Sequence, residues 1–228
     1  MTPRPSPLTP YQTLASSGWT DQIPEREREV TPHPSPLTPH WKTPRRAVFL
    51  DRDGTINVEK DYLYRVEDFE FIPGVPQALK KLQDAGFLLV VVTNQSGVAR
   101  GYYTLEDVEL LHRHMCSELL RYGVTLAGIY VCPHHPTEGN VPFRQKCLCR
   151  KGKPGMLIRA AEELNVDLRA SYMVGDKLAD LEAGYSAGCT SLLVRTGHGA
   201  SLILPSGLAD VPVFDDLPLA ADLIMRLM

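Results

Sequence analysis

Long apolar runs are missing from this 228-residue sequence. The runs Ala47 to Leu50, Phe87 to Val92 and Ser191 to Val194 fall far short of the ~20 residues that a membrane helix needs. The first residues also lack the apolar core of a signal peptide. No membrane partner is expected, and the chain reads as a soluble, cytoplasmic protein. An excess of one charge is missing too: 24 Lys and Arg stand against 27 Asp and Glu, a formal net charge of -3, and the basic residues are scattered. That leaves no electrostatic footprint for nucleic acid. Cysteine is sparse and odd in number, five in all, which does not make a disulfide framework. Three of the five, Cys132, Cys147 and Cys149, crowd near His134, as suits a metal site in a reducing compartment.

Residues 1 to 44 lack apolar periodicity and hold much of the proline, so disorder is expected there. Within them the stretch from Thr2 to Pro10 recurs almost verbatim from Thr31 to Pro39. A proline-rich docking segment is one reading; translated duplication upstream of the true start is the preferred one. From residue 45 to 228 the texture is that of one folded domain, apolar runs alternating with amphipathic helices, which predicts an α/β fold with a parallel sheet. Strands are expected at Ala47 to Leu50, Phe87 to Val92, Ile129 to Cys132, Tyr172 to Val174 and Thr190 to Val194. Helices are expected after Pro76, after a capping box of Thr104 and Asp107, from about Pro154 to Leu164, and up to about Ala187. In such sheets ligands bind beyond the carboxyl ends of the strands, so the residues there carry the functional question.

Asp51-Arg52-Asp53-Gly54-Thr55 follows the first strand. A polar turn is the plain reading, and a calcium loop fails on spacing, because the glycine and glutamate positions hold Ile56 and Tyr62. The second strand ends in Thr93-Asn94-Gln95-Ser96-Gly97, whose hydroxyl and backbone N–H groups suit an oxyanion. Arg150-Lys151-Gly152-Lys153 supplies cations, and Gly175-Asp176 through Asp180 supplies a further carboxylate pair. Phosphoryl transfer needs a nucleophile, a metal, cationic and hydroxyl partners for the phosphoryl oxygens, and a proton donor; each has a candidate here.

Asp-x-Asp-Gly-Thr, a strand-end Thr, a Lys before a helix and Gly-Asp-x-x-x-Asp resemble the four motifs of the haloacid dehalogenase superfamily, from Ala47 to about Gly197. The resemblance implies a Rossmann-like fold of parallel sheet and flanking helices. It implies Asp51 as nucleophile and Asp53 as the group that protonates the leaving oxygen and then activates water. It also implies Mg²⁺ on the Asp51 carboxylate, the Asp53 backbone carbonyl and Asp176. Thr93 and Lys151 would bind the phosphoryl oxygens, with Asn94, Gln95 and Ser96 nearby. Gly152 stands where proline usually follows the motif lysine and Pro154 comes after Lys153, so either Lys151 or Lys153 meets the phosphate.

Cys132-Pro133-His134 and Cys147-Leu148-Cys149 form a four-ligand set that reads as a closed structural Zn²⁺ site, with His135 as a competing ligand. The alternative is a group of buried reduced cysteines, disfavoured because their polar neighbours offer no core. Cys116 and Cys189 read as core. The interval between the first two motifs is too short for a large cap domain, so the cysteine loop is expected to shape the pocket. With Cys-Pro-His-His-Pro at 132 to 136 and Cys-Arg-Lys at 149 to 151, the chain resembles the bacterial heptose-bisphosphate phosphatases. That implies a small phosphorylated sugar as partner, handled by Glu59, Tyr62, Arg150 and Lys177 besides the amide loop, with Lys60 and Arg100 as further cations. Asp61 replaces the usual glycine beside Tyr62, and with Glu59 it argues for a cationic substrate. Histidinol-phosphate phosphatase, which resembles the chain in the same cysteine loop and the same four motifs, is the rival enzyme, and a non-catalytic binding module the rival from another class. A monomer is expected.

Overall fold

A computed structural model describes residues 43–228, so the expected disordered extension over residues 1 to 44 lies, but for its last two, outside the described residues. Six parallel strands form one sheet: β1 (Ala47–Leu50), β2 (Leu88–Asn94), β3 (Gly128–Cys132), β4 (Tyr172–Gly175), β5 (Thr190–Val194) and β6 (Val213–Phe214), in the order β3-β2-β1-β4-β5-β6. The helices are α1 (Val75–Asp84), α2 (Gly97–Arg100), α3 (Leu105–Arg121), α4 (Gly155–Leu164), α5 (Leu178–Ala187) and α6 (Leu217–Arg226).

β1 lies inside the sheet and is apolar throughout because both of its faces are covered. Alternate residues divide between two cores. Val48 and Leu50 pack with Leu79, Leu82, Met115 and Ile224, while Ala47 and Phe49 pack with Met156, Leu157, Ala160 and Ala183. The period of two therefore decides which helix layer each strand residue meets. Strand order reverses between β1 and β4, whose neighbours continue in opposite directions, and the crevice at their carboxyl ends is where a ligand is expected.

The expected elements are present, with shifted ends. β2 runs two residues past Val92, so Thr93 and Asn94 still belong to the ladder, paired with Val131 and Cys132. The Thr104 capping box forms: Asp107 N–H donates to Thr104 Oγ1 at 3.2 Å and Thr104 N–H donates to Asp107 Oδ2 at 2.8 Å. Three elements had no sequence expectation: the single-turn α2, the edge strand β6, and α6. The last carried readable signals, since Asp216 caps it, Pro218 sits in its first turn, and Leu217, Ala220, Ala221 and Ile224 are its buried face. No helix among the described residues is long and apolar enough to cross a membrane.

Candidate active site

β1 delivers Asp51 to the carboxyl edge of the sheet, and its backbone N–H donates to the Val174 carbonyl of β4 at 3.0 Å. The chain then turns tightly, with the N–H groups of Ile56 and Asn57 both donating to the Arg52 carbonyl (2.8 and 3.1 Å). Gly54 makes that turn possible. It has φ +82, and a Cβ there would stand 2.3 Å from Oδ2 of Asp176. The same close approach brings the ends of β1 and β4 together.

Four charged groups meet in that space. Lys151 Nζ ion-pairs with Asp51 Oδ1 at 2.6 Å and Asp180 Oδ1 at 2.7 Å, and all three side chains are buried. Burial opposes the ammonium, but the carboxylates of Asp180 and Asp51 outweigh it and keep the Lys151 pKa above its usual value. Burial pushes the Asp180 carboxyl up to about 6, against the pull of Lys151. Asp176 is pushed up to about 8, by burial first and by the negative charge of Asp51 second. Its Oδ2 accepts from the His198 N–H at 2.8 Å, whereas its buried Oδ1 accepts no hydrogen bond and has the Lys177 ammonium 3.9 Å away. A buried carboxylate oxygen without a hydrogen bond beside other carboxylates is costly, and a closer cation lowers the cost. Ligand oxygens of Asp51, Asp176 and Asp180 lie within 4.8 Å of one another, so the chemistry of the donor set fits a hard divalent ion such as Mg²⁺.

Asp53 sits beside this group and is saturated with donors. Oδ1 accepts from Arg52 Nε (3.1 Å) and Asn57 Nδ2 (3.0 Å), and Oδ2 accepts from Arg52 Nη2 (2.8 Å) and Gln95 Nε2 (3.0 Å). Burial raises its pKa, yet Arg52, then Asn57 and Gln95, bring it below the usual value, so the carboxylate form is favoured. Thr93 is buried at the end of β2 and its Oγ1 accepts from Gln95 Nε2 at 2.8 Å. Asn94 Oδ1 accepts from the Lys151 N–H at 2.9 Å, tying the amide loop to the lysine loop. Ser96 stands at the start of α2.

The structure separates the two lysines. Lys151 reaches Asp51, whereas Lys153 is exposed and donates to the Cys147 carbonyl at 3.1 Å. Glu59 is engaged by Lys177 Nζ at 2.8 Å and lies 3.3 Å from His198 Nε2, so it does not face the site as an open carboxylate. Of the other three expected cations, two are engaged as well. Lys60 turns to the Asp68 carbonyl and to Glu70, and Arg100 pairs with Glu138. Arg150 has no carboxylate partner among the described residues; its Nη1 donates to the His134 carbonyl at 3.0 Å. Tyr62 is exposed, in edge contact with Tyr102 and beneath Arg100.

At the end of β3, Cys132 Sγ is 3.6 Å from Cys147 Sγ, 3.4 Å from Cys149 Sγ and 3.8 Å from His134 Nδ1; Cys149 Sγ is 3.2 Å from Cys147 Sγ and 3.3 Å from His134 Nδ1. Ligands ~2.3 Å from a tetrahedral zinc ion stand about 3.7 Å apart, so the four groups already trace such a shell. Hydrogen bonds from Cys132 and Cys149 hold the Cys147 thiol below its usual pKa, while Cys132 and Cys149 are pushed above theirs, so without a metal the three share a single thiolate. His135 faces elsewhere, its Nδ1 accepting from the Glu138 N–H and its Nε2 meeting Arg100. One expectation is corrected: these cysteines do border a core, for Cys132 is fully buried in the second cluster with Cys147 and Cys149 packed against it. A groove of about 300 Å³ lined by Pro136, Cys147, Arg150 and Lys151 joins this loop to the charged site.

The comparisons with known proteins agree with this geometry. Residues 148–219 match the HAD-hydrolase-like family model. The chain is 55% identical over 155 residues, 67% of its length and 85% of the relative's, to the D-glycero-beta-D-manno-heptose-1,7-bisphosphate 7-phosphatase of Haemophilus ducreyi. It is 50% identical over 175 residues, covering 73% of this chain and 91% of the relative, to the Escherichia coli protein of the same name. This chain belongs to their haloacid dehalogenase-like phosphatase family. The crystal structure of D,D-heptose 1,7-bisphosphate phosphatase from B. bronchiseptica, complexed with magnesium and phosphate, superposes with a TM-score of 0.70 at 35% identity over 80% of this chain and 99% of that one. As a family member the chain is a phosphoric monoester hydrolase of this fold, without a large cap between β1 and β2.

Sequence reasoning did not assign Arg52, Asp180, His112 or His198 to the site. Asp180 was visible as the last carboxylate of its motif. His112 was a polar interruption four residues after Val108 in an otherwise apolar helix face, a signal easily read as packing.

Proposed function

We propose that this chain removes the 7-phosphate of D-glycero-beta-D-manno-heptose 1,7-bisphosphate through an aspartyl phosphate on Asp51. The observation that carries the reaction type is the buried cluster in which Lys151 ion-pairs with Asp51 and Asp180 while Asp176 Oδ1 accepts no hydrogen bond and has only the Lys177 ammonium, 3.9 Å away, beside it. Asp51 attacks phosphorus, and the bond from phosphorus to the sugar oxygen breaks. Asp53 in its protonated form gives the leaving oxygen a proton, and as the carboxylate favoured here it takes one from the water that then cleaves the aspartyl phosphate. Lys151 and Thr93 meet the phosphoryl oxygens, while Asp180 and Asn94 fix Lys151 and its backbone. Asp51, Asp176 and the Asp53 carbonyl would hold Mg²⁺, which when bound neutralises phosphoryl charge. Cys132, His134, Cys147 and Cys149 would hold a structural Zn²⁺.

The substrate assignment is supported by the names of the relatives and by the engagement of Glu59. A histidinol phosphate pocket needs open carboxylates for its cationic groups, and Glu59 is already neutralised by Lys177. The cytoplasmic route to nucleotide-activated heptose for surface glycans is the proposed setting, with residues 45 to 228 as the catalytic domain. The deciding experiment is a panel of kcat/KM values for the heptose bisphosphate, histidinol phosphate and a generic aryl phosphate, with and without Mg²⁺. A preference for the bisphosphate that depends on Mg²⁺ is expected. A preference for histidinol phosphate would overturn the substrate, and no turnover of any of them would overturn the enzyme reading.

A further inference from the structure

Arg52, between the two aspartates, is fully buried although its guanidinium reaches neither the nucleophile's carboxylate nor Lys151. Burying an arginine that completely is expensive unless its N–H groups are matched. Four of its five are: Nε and Nη2 grip the two oxygens of Asp53 at 3.1 and 2.8 Å, Nη2 also donates to the Leu63 carbonyl at 3.0 Å, and Nη1 lies 3.0 Å from His112 Nε2. A guanidinium has no acceptor, so His112 Nε2 accepts, and the ring is the neutral tautomer with its proton on Nδ1. His112 is itself buried on α3, among Val108, Leu111 and Met115.

We infer that His112 and Arg52 form a strut from α3 that positions the carboxylate of Asp53 for proton transfer. This rests on the reading of Asp53 as the acid and base of the reaction. A carboxylate has about four lone-pair sites, and here all four are filled, so Asp53 takes up a proton only when one of these donors yields its place. Asn57 and Gln95 take one each, with Gln95 fixed in turn by Tyr103 Oη donating to its Oε1 at 2.7 Å. The guanidinium takes the other two, and its two prongs define the plane of the carboxylate as one donor cannot. The far side of that fork is anchored by the Leu63 carbonyl and His112. Without His112 one buried N–H loses its acceptor, a single anchor remains, and the fork is free to tilt. Misplacement of a reacting group by ~1 Å costs about a hundredfold. His112 and Arg52 are therefore positioning residues, acting through Asp53.

The test compares His112→Leu, which keeps the volume and removes the acceptor, with His112→Gln, which restores an acceptor oxygen. For His112→Leu with the sugar bisphosphate, kcat is expected to fall about tenfold to a hundredfold with KM within about twofold, and His112→Gln to recover to within about threefold of wild type. In single-turnover release of the leaving group, the deficit should shrink with 4-nitrophenyl phosphate, whose good leaving group needs little protonation. A structural defect alone would lower both substrates alike. Arg52→Lys, which keeps the cation and loses the fork, should show the same dependence on leaving group, and it serves as the test if His112→Leu does not fold. Equal losses on both substrates, an effect confined to KM, or undiminished kcat would each overturn the strut. Failure of wild type on the sugar bisphosphate would instead overturn the substrate reading and leave the 4-nitrophenyl phosphate comparison standing.

Discussion

The ends of β1 and β4 and the end of β3 each gather groups able to hold a metal, and they do so on opposite terms. At β1 and β4 the groups are hard and charged, buried, and incompletely matched: Asp176 Oδ1 accepts no hydrogen bond, with the Lys177 ammonium 3.9 Å away, and its carboxyl is pushed up to about 8 by burial and by Asp51. At β3 three thiols and an imidazole lie 3.2 to 3.8 Å apart and turn inward on one another. One region keeps unsatisfied charge where a phosphate can meet it, and the other closes its ligands round a single point. The first arrangement suits chemistry and the second suits cross-linking a loop whose hydrophobic support is small. Ligand type and saturation, more than proximity, separate a reactive site from a structural one.

The largest expected break falls on the charged region. Asp51→Asn keeps the shape but removes the proposed nucleophile, so turnover of an aryl phosphate should drop by at least about 10⁴-fold with the fold intact. Asp180→Asn leaves the nucleophile and loosens Lys151, for which a loss of about a hundredfold is expected. Lys153→Ala should stay within about twofold, since Lys153 contacts the Cys147 carbonyl and not Asp51. Steady-state kinetics with circular dichroism on the three variants checks the order; an active Asp51→Asn removes the covalent route.

In the cysteine region the effect should appear in stability. Cys149→Ser takes away one of four ligands, and a loss of about 3 kcal/mol, or roughly 6–12 °C in melting temperature, is expected. Elemental analysis should give about one zinc per wild-type chain and less in the variant. Chelated wild type that melts unchanged would turn the comparison round, leaving the thiols as ordinary core.

Acid sharpens the contrast. Burial first, and Arg52 second, lower the His112 pKa to about 3 from its usual 6.5. Between those values the unfolded chain binds a proton that the folded chain refuses. The contribution of neutral His112 is therefore whole above pH ~6.5 and is lost as pH falls towards 3. At pH 4.5 the loss is about 3 kcal/mol. Thiols releasing a metal also weaken the protein in acid, but that contribution is common to wild type and His112→Gln. The variant should lose less stability between pH 7 and pH 4.5 in denaturant titrations, and equal slopes would show that the histidine is not held neutral.

What the sequence disclosed follows from how locally each feature is encoded. β1 was legible because a strand buried on both faces is a short unbroken apolar run, and Asp51 because it follows that run directly. The clustering of Cys132, His134, Cys147 and Cys149 was legible as two pairs with fixed spacing. The engagement of Glu59 by Lys177 was not, since it joins residues 118 positions apart. Nor was the pairing of Arg52 with His112, 60 positions apart, which depends on how α3 packs across the turn after β1. The choice between Lys151 and Lys153 needed the lysine loop in place, because both stand at similar distance from the helix that follows. α6 was overlooked despite its cap and apolar spacing.

Arg150 joins the two regions, for it lies between Cys149 of the thiol cluster and Lys151 of the charged site, and its Nη1 donates to the His134 carbonyl. It is also the one cation of the four expected near the sugar that no carboxylate engages among the described residues. If the cysteine loop serves the reaction by holding this guanidinium over the groove, its contribution should be one of substrate grip. Arg150→Lys keeps the charge and loses the planar fork that holds two oxygens at once. KM for the heptose bisphosphate is then expected to rise about tenfold, a change of about 1.4 kcal/mol, with kcat within about threefold. Zinc content and melting temperature should be unchanged, because the hydrogen bond to His134 runs to a backbone oxygen and not to a metal ligand. Side-by-side values of KM, kcat and zinc content measure this. A fall in kcat with KM constant would place Arg150 in the phosphoryl chemistry, and loss of zinc would place it in the loop's scaffold; either would end its role as the link between them.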